Sequence, residues 1–323
     1  MSKILLTGTA GFIGSKVAHF LLAEGNDVVG LDNLNDYYDV RLKEFRLSNL
    51  IANKKFSYHK IDIENFKELQ KIFSGNKFDA IINLAARAGV RSSIENPFVY
   101  VTTNELGTLN LLELMKEFNV KKIVTASSSS LYAGQPMPFK EDMDVSKPIS
   151  PYAATKRSME LMCYTYNYLY NIDVSMLRYF TVYGPAGRPD MAIFRFIKWI
   201  DEGTPIQLNG DGSQSRDFTF VDDIAKGTIK ALKPLGYEIF NLGGGKSPYS
   251  INYVINEIEK GLGKKAKIEY NPFHKADVDS TWADIAKAKE VLDWGPTISV
   301  NEGIKKTIEW YKNNNELIKI VGC

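Results

Sequence analysis

The sequence predicts an α/β chain: a doubly wound parallel sheet covered by helices on both faces, followed by a smaller unit of mixed α/β structure. Two observations carry this. Over residues 1–180, short apolar runs at 4–7, 27–31, 56–61, 80–84, 122–126 and 174–179 alternate with helical patterns, as successive strand-helix-strand units require. Beyond residue 180 the alternation breaks at Gly184-Pro185, Gly187-Arg188-Pro189 and Asn209-Gly210-Asp211-Gly212-Ser213, and helical patterns near 192–202, 221–232, 251–262 and 302–312 carry most of the rest. The expected division is 1–180 and 181–323, with a strand near 239–242 returning to the first sheet.

Taken in order, the first strand leads into Gly8-Thr9-Ala10-Gly11-Phe12-Ile13-Gly14. Glycines at this spacing permit a tight turn, close approach of backbone to a pyrophosphate, and close packing of the next helix on the strand. The unit is therefore read as a Rossmann-type dinucleotide fold. Its first helix places Ile13, Val17, Phe20 and Leu21 on one stripe. Asp32 ends the second strand, where a carboxylate accepts hydrogen bonds from an adenosine ribose and repels a 2′-phosphate, favouring NAD over NADP. Asn96-Pro97 reads as the capped start of a long helix reaching about residue 118.

The chemical signals follow the fourth and fifth strands. The fourth opens into Asn83-Leu84-Ala85-Ala86-Arg87-Ala88-Gly89-Val90-Arg91, and the fifth ends in Ser127-Ser128-Ser129-Ser130-Leu131-Tyr132. Small residues there let a flat cofactor lie against backbone, and a hydroxyl can meet a substrate oxygen. In Ser150-Pro151-Tyr152-Ala153-Ala154-Thr155-Lys156, Ser150 suits an N-cap and Pro151 the first helical position. Tyr152 and Lys156 then share one helix face, where an ammonium fixed beside a phenol draws the phenol toward the phenolate that a general base requires. That spacing is common on solvated helices. It gains weight from the dinucleotide loop and from the serine run, which completes a Ser, Tyr, Lys set.

Composition narrows the partner. The 323 residues are 44% hydrophobic, enough for a substantial core, and 40 basic against 38 acidic residues leave a formal charge of +2. Overall charge thus suggests neither a nucleic-acid groove nor a membrane-binding surface, and the expected partner is a small molecule. No apolar run is long enough to span a bilayer and no basic, apolar leader precedes the first strand, so a cytoplasmic location is expected. Cys163 and Cys323 give no disulfide framework, and His19, His59 and His274 are scattered, so no metal site is expected.

Across nearly its whole length the chain resembles the extended short-chain dehydrogenase/reductases, specifically the NAD-dependent nucleotide-sugar epimerases, and among them the UDP-glucuronate 4-epimerases. The resemblance is carried by Thr7 to Gly14, the run Asp32-Asn33-Leu34-Asn35-Asp36-Tyr37-Tyr38-Asp39-Val40, Ala88-Gly89-Val90-Arg91, Ala126 to Tyr132, Tyr152 to Lys156, and Arg178-Tyr179-Phe180-Thr181-Val182-Tyr183-Gly184-Pro185 continuing to Gly187-Arg188-Pro189-Asp190-Met191. It implies an NAD site lined by Gly8, Gly11, Phe12, Ile13, Gly14, Asp32, Asn33, Asp62, Ile63, Ala85, Ala86, Asn104, Tyr152, Lys156 and Tyr179. It implies Ser128 as catalytic hydroxyl, Tyr152 as base and acid, and Lys156 as its electrostatic partner. For UDP it implies Arg91, Arg216 and Asp277, and it implies a homodimer through the helices near Pro97 and Tyr152. Two departures stand out: Ala133 follows Tyr132 where relatives usually carry Gly, and His274 replaces an Arg or Gln near the nucleotide.

The reaction implied is C4 epimerisation of UDP-glucuronate to UDP-galacturonate through a 4-keto sugar. Thr181 stands where hexose-specific relatives commonly have Asn. Arg188 follows seven residues later, and the resemblance puts both near the C5 substituent, with Thr181 and Ser129 as hydroxyl donors to a carboxylate there. A guanidinium suits a uronic carboxylate; the competing reading is that Arg188 pairs with nearby Asp190. Other activities considered are a UDP-glucose or N-acetylhexosamine 4-epimerase and a UDP-glucuronate decarboxylase. A 4,6-dehydratase is disfavoured because Ser129 and Ser130 occupy its Asp-Glu positions. A non-catalytic NAD-binding scaffold is the alternative from another class.

Overall fold

The computed structural model describes residues 1–272 and 278–322. Six strands form where the apolar runs predict them: β1 Lys3–Thr7, β2 Asp27–Asp32, β3 Phe56–Lys60, β4 Ala80–Asn83, β5 Lys122–Ser128 and β6 Asp173–Tyr179. A seventh, β7 Tyr237–Leu242, lies parallel to β6. The sheet order is β7-β6-β5-β4-β1-β2-β3, and every pairing in it is parallel. The chain therefore winds outward in both directions from β1 and β4. The crevice at their carboxyl ends is where an open sheet of this kind receives a ligand.

Burial on both faces explains the apolar runs. On one face Leu5, Val29, Ile81, Ile123 and Val174 pack with residues of the helices Phe66–Ser74, Gly107–Glu117 and Pro151–Tyr170. On the other, Ile4, Leu6, Val28, Ile82 and Val124 pack with the helices Phe12–Ala23 and Val221–Lys230. In the first helix the buried side is Phe12, Val17, Ala18, Leu21 and Leu22; Ile13 and Phe20 are only partly covered. The small residues Gly14 and Ala18 let the helix roll closer to the sheet than an aliphatic stripe suggests.

The expected long helix beginning at Asn96-Pro97 differs in detail. Phe98–Tyr100 is α-helical, Val101–Leu106 widens to a π-helix, and Gly107–Glu117 resumes the α form. No side chain caps its start. Here Asn96 instead ends the preceding helix Val90–Glu95, so the Asn-Pro cap expected from sequence is not made. By contrast, Ser150 accepts a hydrogen bond from the Ala153 N–H at 3.2 Å, and Pro151 opens the helix Pro151–Tyr170.

After β6 a second apolar cluster gathers Ile193, Phe196 and Ile197 with Val254, Ile258, Ile304 and Ile308. These come from the helices Ala192–Glu202, Ile251–Leu262 and Val300–Asn313. Short strand pairs complete it: Thr181–Tyr183 parallel to Phe218–Phe220, Ile206–Asn209 parallel to Ile268–Asn271, and Ser215–Arg216 antiparallel to Tyr249–Ser250. No helix among the described residues is long and apolar enough to cross a membrane.

Candidate active site

The turn after β1 is built for close approach. Gly8 has φ +69°, and a Cβ there would lie 2.7 Å from the Ala85 nitrogen; one on Gly14 would lie 2.1 Å from the Gly8 carbonyl oxygen. Only glycine fits both the left-handed backbone at Gly8 and the helix-to-turn contact at Gly14. Asp32, buried at the end of β2, accepts from the Ala10 N–H at 3.1 Å and the Leu34 N–H at 2.9 Å, fixing its carboxylate beside the loop. Asn33 donates to Asp62 at 2.7 Å, while Ile63 is buried and seats against Gly107. Ala85 and Ala86 are partly open on the other side of the turn.

Asn104 faces the same region from the π-helix. Its side chain accepts from the Arg87 N–H at 2.8 Å and donates to the Arg87 carbonyl and to Thr155, which ties the segment after β4 to the helix that carries Tyr152. The wide turn supplies that reach, and π-helical turns are often found at functional positions. Tyr179 is placed differently. Its side chain is buried and its hydroxyl shares a hydrogen bond with Thr228 at 2.7 Å, so the ring belongs to the core. The adenosine acceptor, glycine cradle and small-residue wall fit a dinucleotide.

Ser128 closes β5. Its Oγ accepts from the Ser130 N–H at 3.1 Å and lies 2.9 Å from the Ser130 hydroxyl, capping the short 3₁₀ turn Ser129–Tyr132. Ser130 joins the site through these two contacts, and its only mark in the sequence is a hydroxyl two residues after Ser128 at a strand end. Burial pushes the Tyr152 phenol above its ordinary value, while a hydrogen bond with Ser128 and the positive charge of Arg188 pull it down. Lys156 is buried and donates to the Ala126 carbonyl at 2.8 Å; desolvation draws its ammonium down to about 7 against the opposing charge of Glu160. The Lys156 ammonium thus meets a carbonyl near the end of β5, while Ser128, Arg188 and Tyr37 act on the phenol.

Beside this cluster opens a cavity of about 280 Å³ whose lining includes Arg91, Thr181, Arg188, Asn209 and Arg216. Arg91 reaches across to the strand Ile206–Asn209: with the Asn209 amide oxygen turned toward it, the guanidinium donates at 2.9 and 2.6 Å. Arg216 donates to the Ser215 carbonyl at 2.8 Å and the Asp279 carbonyl at 3.2 Å. In the sequence Asn209 is marked only by the turn-rich run that it opens. Asp277 and His274 lie outside the described residues, as does Cys323. Ala133, by contrast, adopts φ −53° and ψ 124°, an ordinary backbone for a residue with a Cβ.

Arg188 meets a carboxylate of the chain itself. Its Nε and Nη2 meet the Asp190 carboxylate at 3.0 and 2.6 Å, the partner that the competing reading names. The two residues are adjacent in a turn, which makes the fork easy to close. The guanidinium also lies over the Tyr37 ring, 5.4 Å from its centroid, and the Tyr37 hydroxyl lies 3.1 Å from Ser92. No group of three or more metal-ligating side chains occurs among the described residues.

The fold and the Ser, Tyr, Lys set define a short-chain dehydrogenase/reductase of the extended kind. A family model described as GDP-mannose 4,6 dehydratase matches residues 5–307, and the chain belongs to that family. It is 62% identical to a UDP-glucuronate 4-epimerase of Thermodesulfobacterium geofontis, over 99% of either chain. Among solved structures it resembles the UDP-glucuronic acid 4-epimerase of Bacillus cereus in complex with UDP-glucuronic acid and NAD, with TM-score 0.91 and 39% identity, covering 96% of this chain and 99% of that one. The UDP-glucose 4-epimerase of Thermotoga maritima, with UDP-glucose, gives TM-score 0.89 and 31% identity over 97% and 99%.

Proposed function

We propose that the protein is an NAD-dependent UDP-glucuronate 4-epimerase that forms UDP-galacturonate. The observation that carries this reading is that Arg188, whose charge acts on the Tyr152 phenol bonded to Ser128, also lines a cavity with Arg91, Arg195, Arg216 and Thr181. Residues 1–180 with β7 bind the dinucleotide; residues 181–323 bind the UDP-sugar. NAD supplies, when bound, a reversible acceptor for the hydride of sugar C4. Gly8, Gly11 and Gly14 with Phe12 and Ile13 would hold its pyrophosphate, Asp32 and Asn33 its adenosine ribose, and Asp62, Ile63, Ala85, Ala86 and Asn104 its flanks. Tyr152 takes the proton of the 4-hydroxyl, Ser128 hydrogen-bonds the same oxygen, and the proton returns from Tyr152 after the flat 4-keto sugar has turned over. Lys156, anchored on Ala126, is assigned as the electrostatic partner of Tyr152.

Arg91, Arg216 and Asp277 are assigned to UDP. Ser129, Thr181 and Arg188 are assigned to the sugar and its carboxylate. Rotation of the intermediate demands that binding free energy come mostly from the nucleotide. The working unit is a homodimer in the cytoplasm; support for the dimer is the exposure of Phe98 (79%) and Tyr168 (76%) on neighbouring helices, with Leu161 and Leu169 beside Tyr168. The test is to incubate the protein with UDP-glucuronate, UDP-glucose and UDP-N-acetylglucosamine and identify the products by NMR. UDP-galacturonate as the dominant product supports the reading. A faster reaction of UDP-glucose, loss of carbon dioxide, or copurified NAD with no turnover of any UDP-sugar overturns it.

A further inference from the structure

Arg188 and Asp190 form the same fork that a guanidinium forms with a uronic acid: two parallel N–H···O contacts to one carboxylate, at 3.0 and 2.6 Å. Both residues line the cavity assigned to the sugar. We propose that Asp190 is an internal stand-in for the substrate carboxylate, holding Arg188 between substrates and exchanging places with the uronate during turnover. The proposal rests on the uronate reading of Arg188.

Three observations favour exchange over a fixed pair. The side chain of Asp190 is 39% exposed against 20% for Arg188, so the carboxylate can swing to water while the guanidinium stays. Arg188 keeps a second, independent support in the Tyr37 ring, which Ser92 holds by its hydroxyl. Asp190 also has somewhere to go. It precedes the helix Ala192–Glu202, which has neither a side-chain cap nor an acidic residue in its first turn, and the positive end of a helix favours a carboxylate.

The exchange answers a physical difficulty of the reaction. An arginine with no competitor would grip the sugar carboxylate, and that grip would have to break before the 4-keto sugar could turn over. With Asp190 waiting, one carboxylate replaces another on the same guanidinium, and the bound and released states lie close in free energy. A neutral hexose cannot displace Asp190 and meets a closed pair. Asp190 therefore sets both the selectivity for a uronate and the ease of rotation.

The experiment is Asp190→Asn. Affinity for UDP-glucuronate is measured by calorimetry on NAD-loaded protein carrying Tyr152→Phe, so that no turnover intervenes, and kcat is measured in the otherwise unaltered enzyme. An exposed ion pair that competes for the site predicts a Kd lower by roughly 2- to 5-fold, with kcat falling by a similar factor and both effects smaller for UDP-glucose. Unchanged or weaker binding of UDP-glucuronate overturns the exchange, because a merely structural Asp190 would not tighten binding while slowing turnover. Arg188→Ala separates the two levels of inference. If it slows both sugars equally, the uronate reading itself fails; if it slows UDP-glucuronate selectively and Asp190→Asn does not tighten binding, only the exchange fails.

Discussion

Glu160 lies one helical turn beyond Lys156, and its removal tests how the catalytic helix is held. The Glu160 carboxylate is fully buried and receives Arg178 Nε and Nη2, each at 2.8 Å, the Ser127 hydroxyl at 2.7 Å and Arg157 Nη1 at 2.9 Å. Arg178 is also buried; its remaining contacts include the Tyr132 hydroxyl at 2.7 Å and the Glu141 carbonyl at 3.1 Å. Glu160→Met keeps the volume and removes every acceptor, stranding a buried guanidinium at a cost of about 3–5 kcal/mol. At roughly 2–4 °C per kcal/mol for a chain of this size class, the thermal midpoint should fall on the order of 6–20 °C. The assay is thermal unfolding followed by circular dichroism with and without NAD. Pairing the change with Arg178→Met should recover much of the loss, since an apolar pair can replace a buried ion pair with little net effect. A single variant within about 3 °C of the parent would refute the view that this pair holds β5 and β6 against the helix.

Tyr152→Phe should keep fold and NAD occupancy while turnover falls by roughly 100- to 10,000-fold, the range for a lost general base; near-normal rates, followed by NMR of the sugar products, would remove the tyrosine from the mechanism. Asp32→Ala should weaken NAD and narrow its advantage over NADP, measured as the ratio of the two dissociation constants, and an unchanged ratio would count against the ribose role. Asp217 is buried and desolvation pushes its carboxyl up to about 6, opposed by the N–H groups of Ala283, Gly245 and Gly244. A carboxyl raised above its unfolded value of about 3.9 contributes stability below that pH and loses it as pH rises through about 6. The stability of the parent minus that of Asp217→Asn, from urea titrations, should therefore decline between about pH 4 and 6 and stay level above; a difference that rises over this window would reverse the assignment.

The strands were legible because parallel strands buried on both faces read as unbroken apolar runs, and the Ser150-Pro151 start was legible because a cap is local chemistry. The π-helical turn at Val101–Leu106 was not, since widening by one residue leaves no mark that a helical spacing distinguishes. The sequence shows both possible partners of Arg188, but choosing between a substrate carboxylate and Asp190 depends on the turn geometry. Lys156 is similar: spacing puts it on the face of Tyr152, whereas its actual acceptor, the Ala126 carbonyl, is supplied by a strand 30 residues earlier.

Arg46 shows the limit in physical terms. Its guanidinium is buried and donates to the Ala186 carbonyl at 2.9 and 2.7 Å, the Gly187 carbonyl at 3.1 Å, the Ala10 carbonyl at 3.3 Å and the Tyr38 hydroxyl at 2.6 Å. Every acceptor but one is a main-chain oxygen, so no residue type elsewhere in the sequence announces the contact. The positive charge is stabilised by converging carbonyl dipoles and by the faces of Phe12 and Tyr38, which it overlies at 5.9 and 5.4 Å. One side chain thus joins the glycine turn, the segment carrying Tyr37 and the residues just before Arg188. Motifs mark what each of those segments does, but the register between them is set by a residue that belongs to none of the motifs.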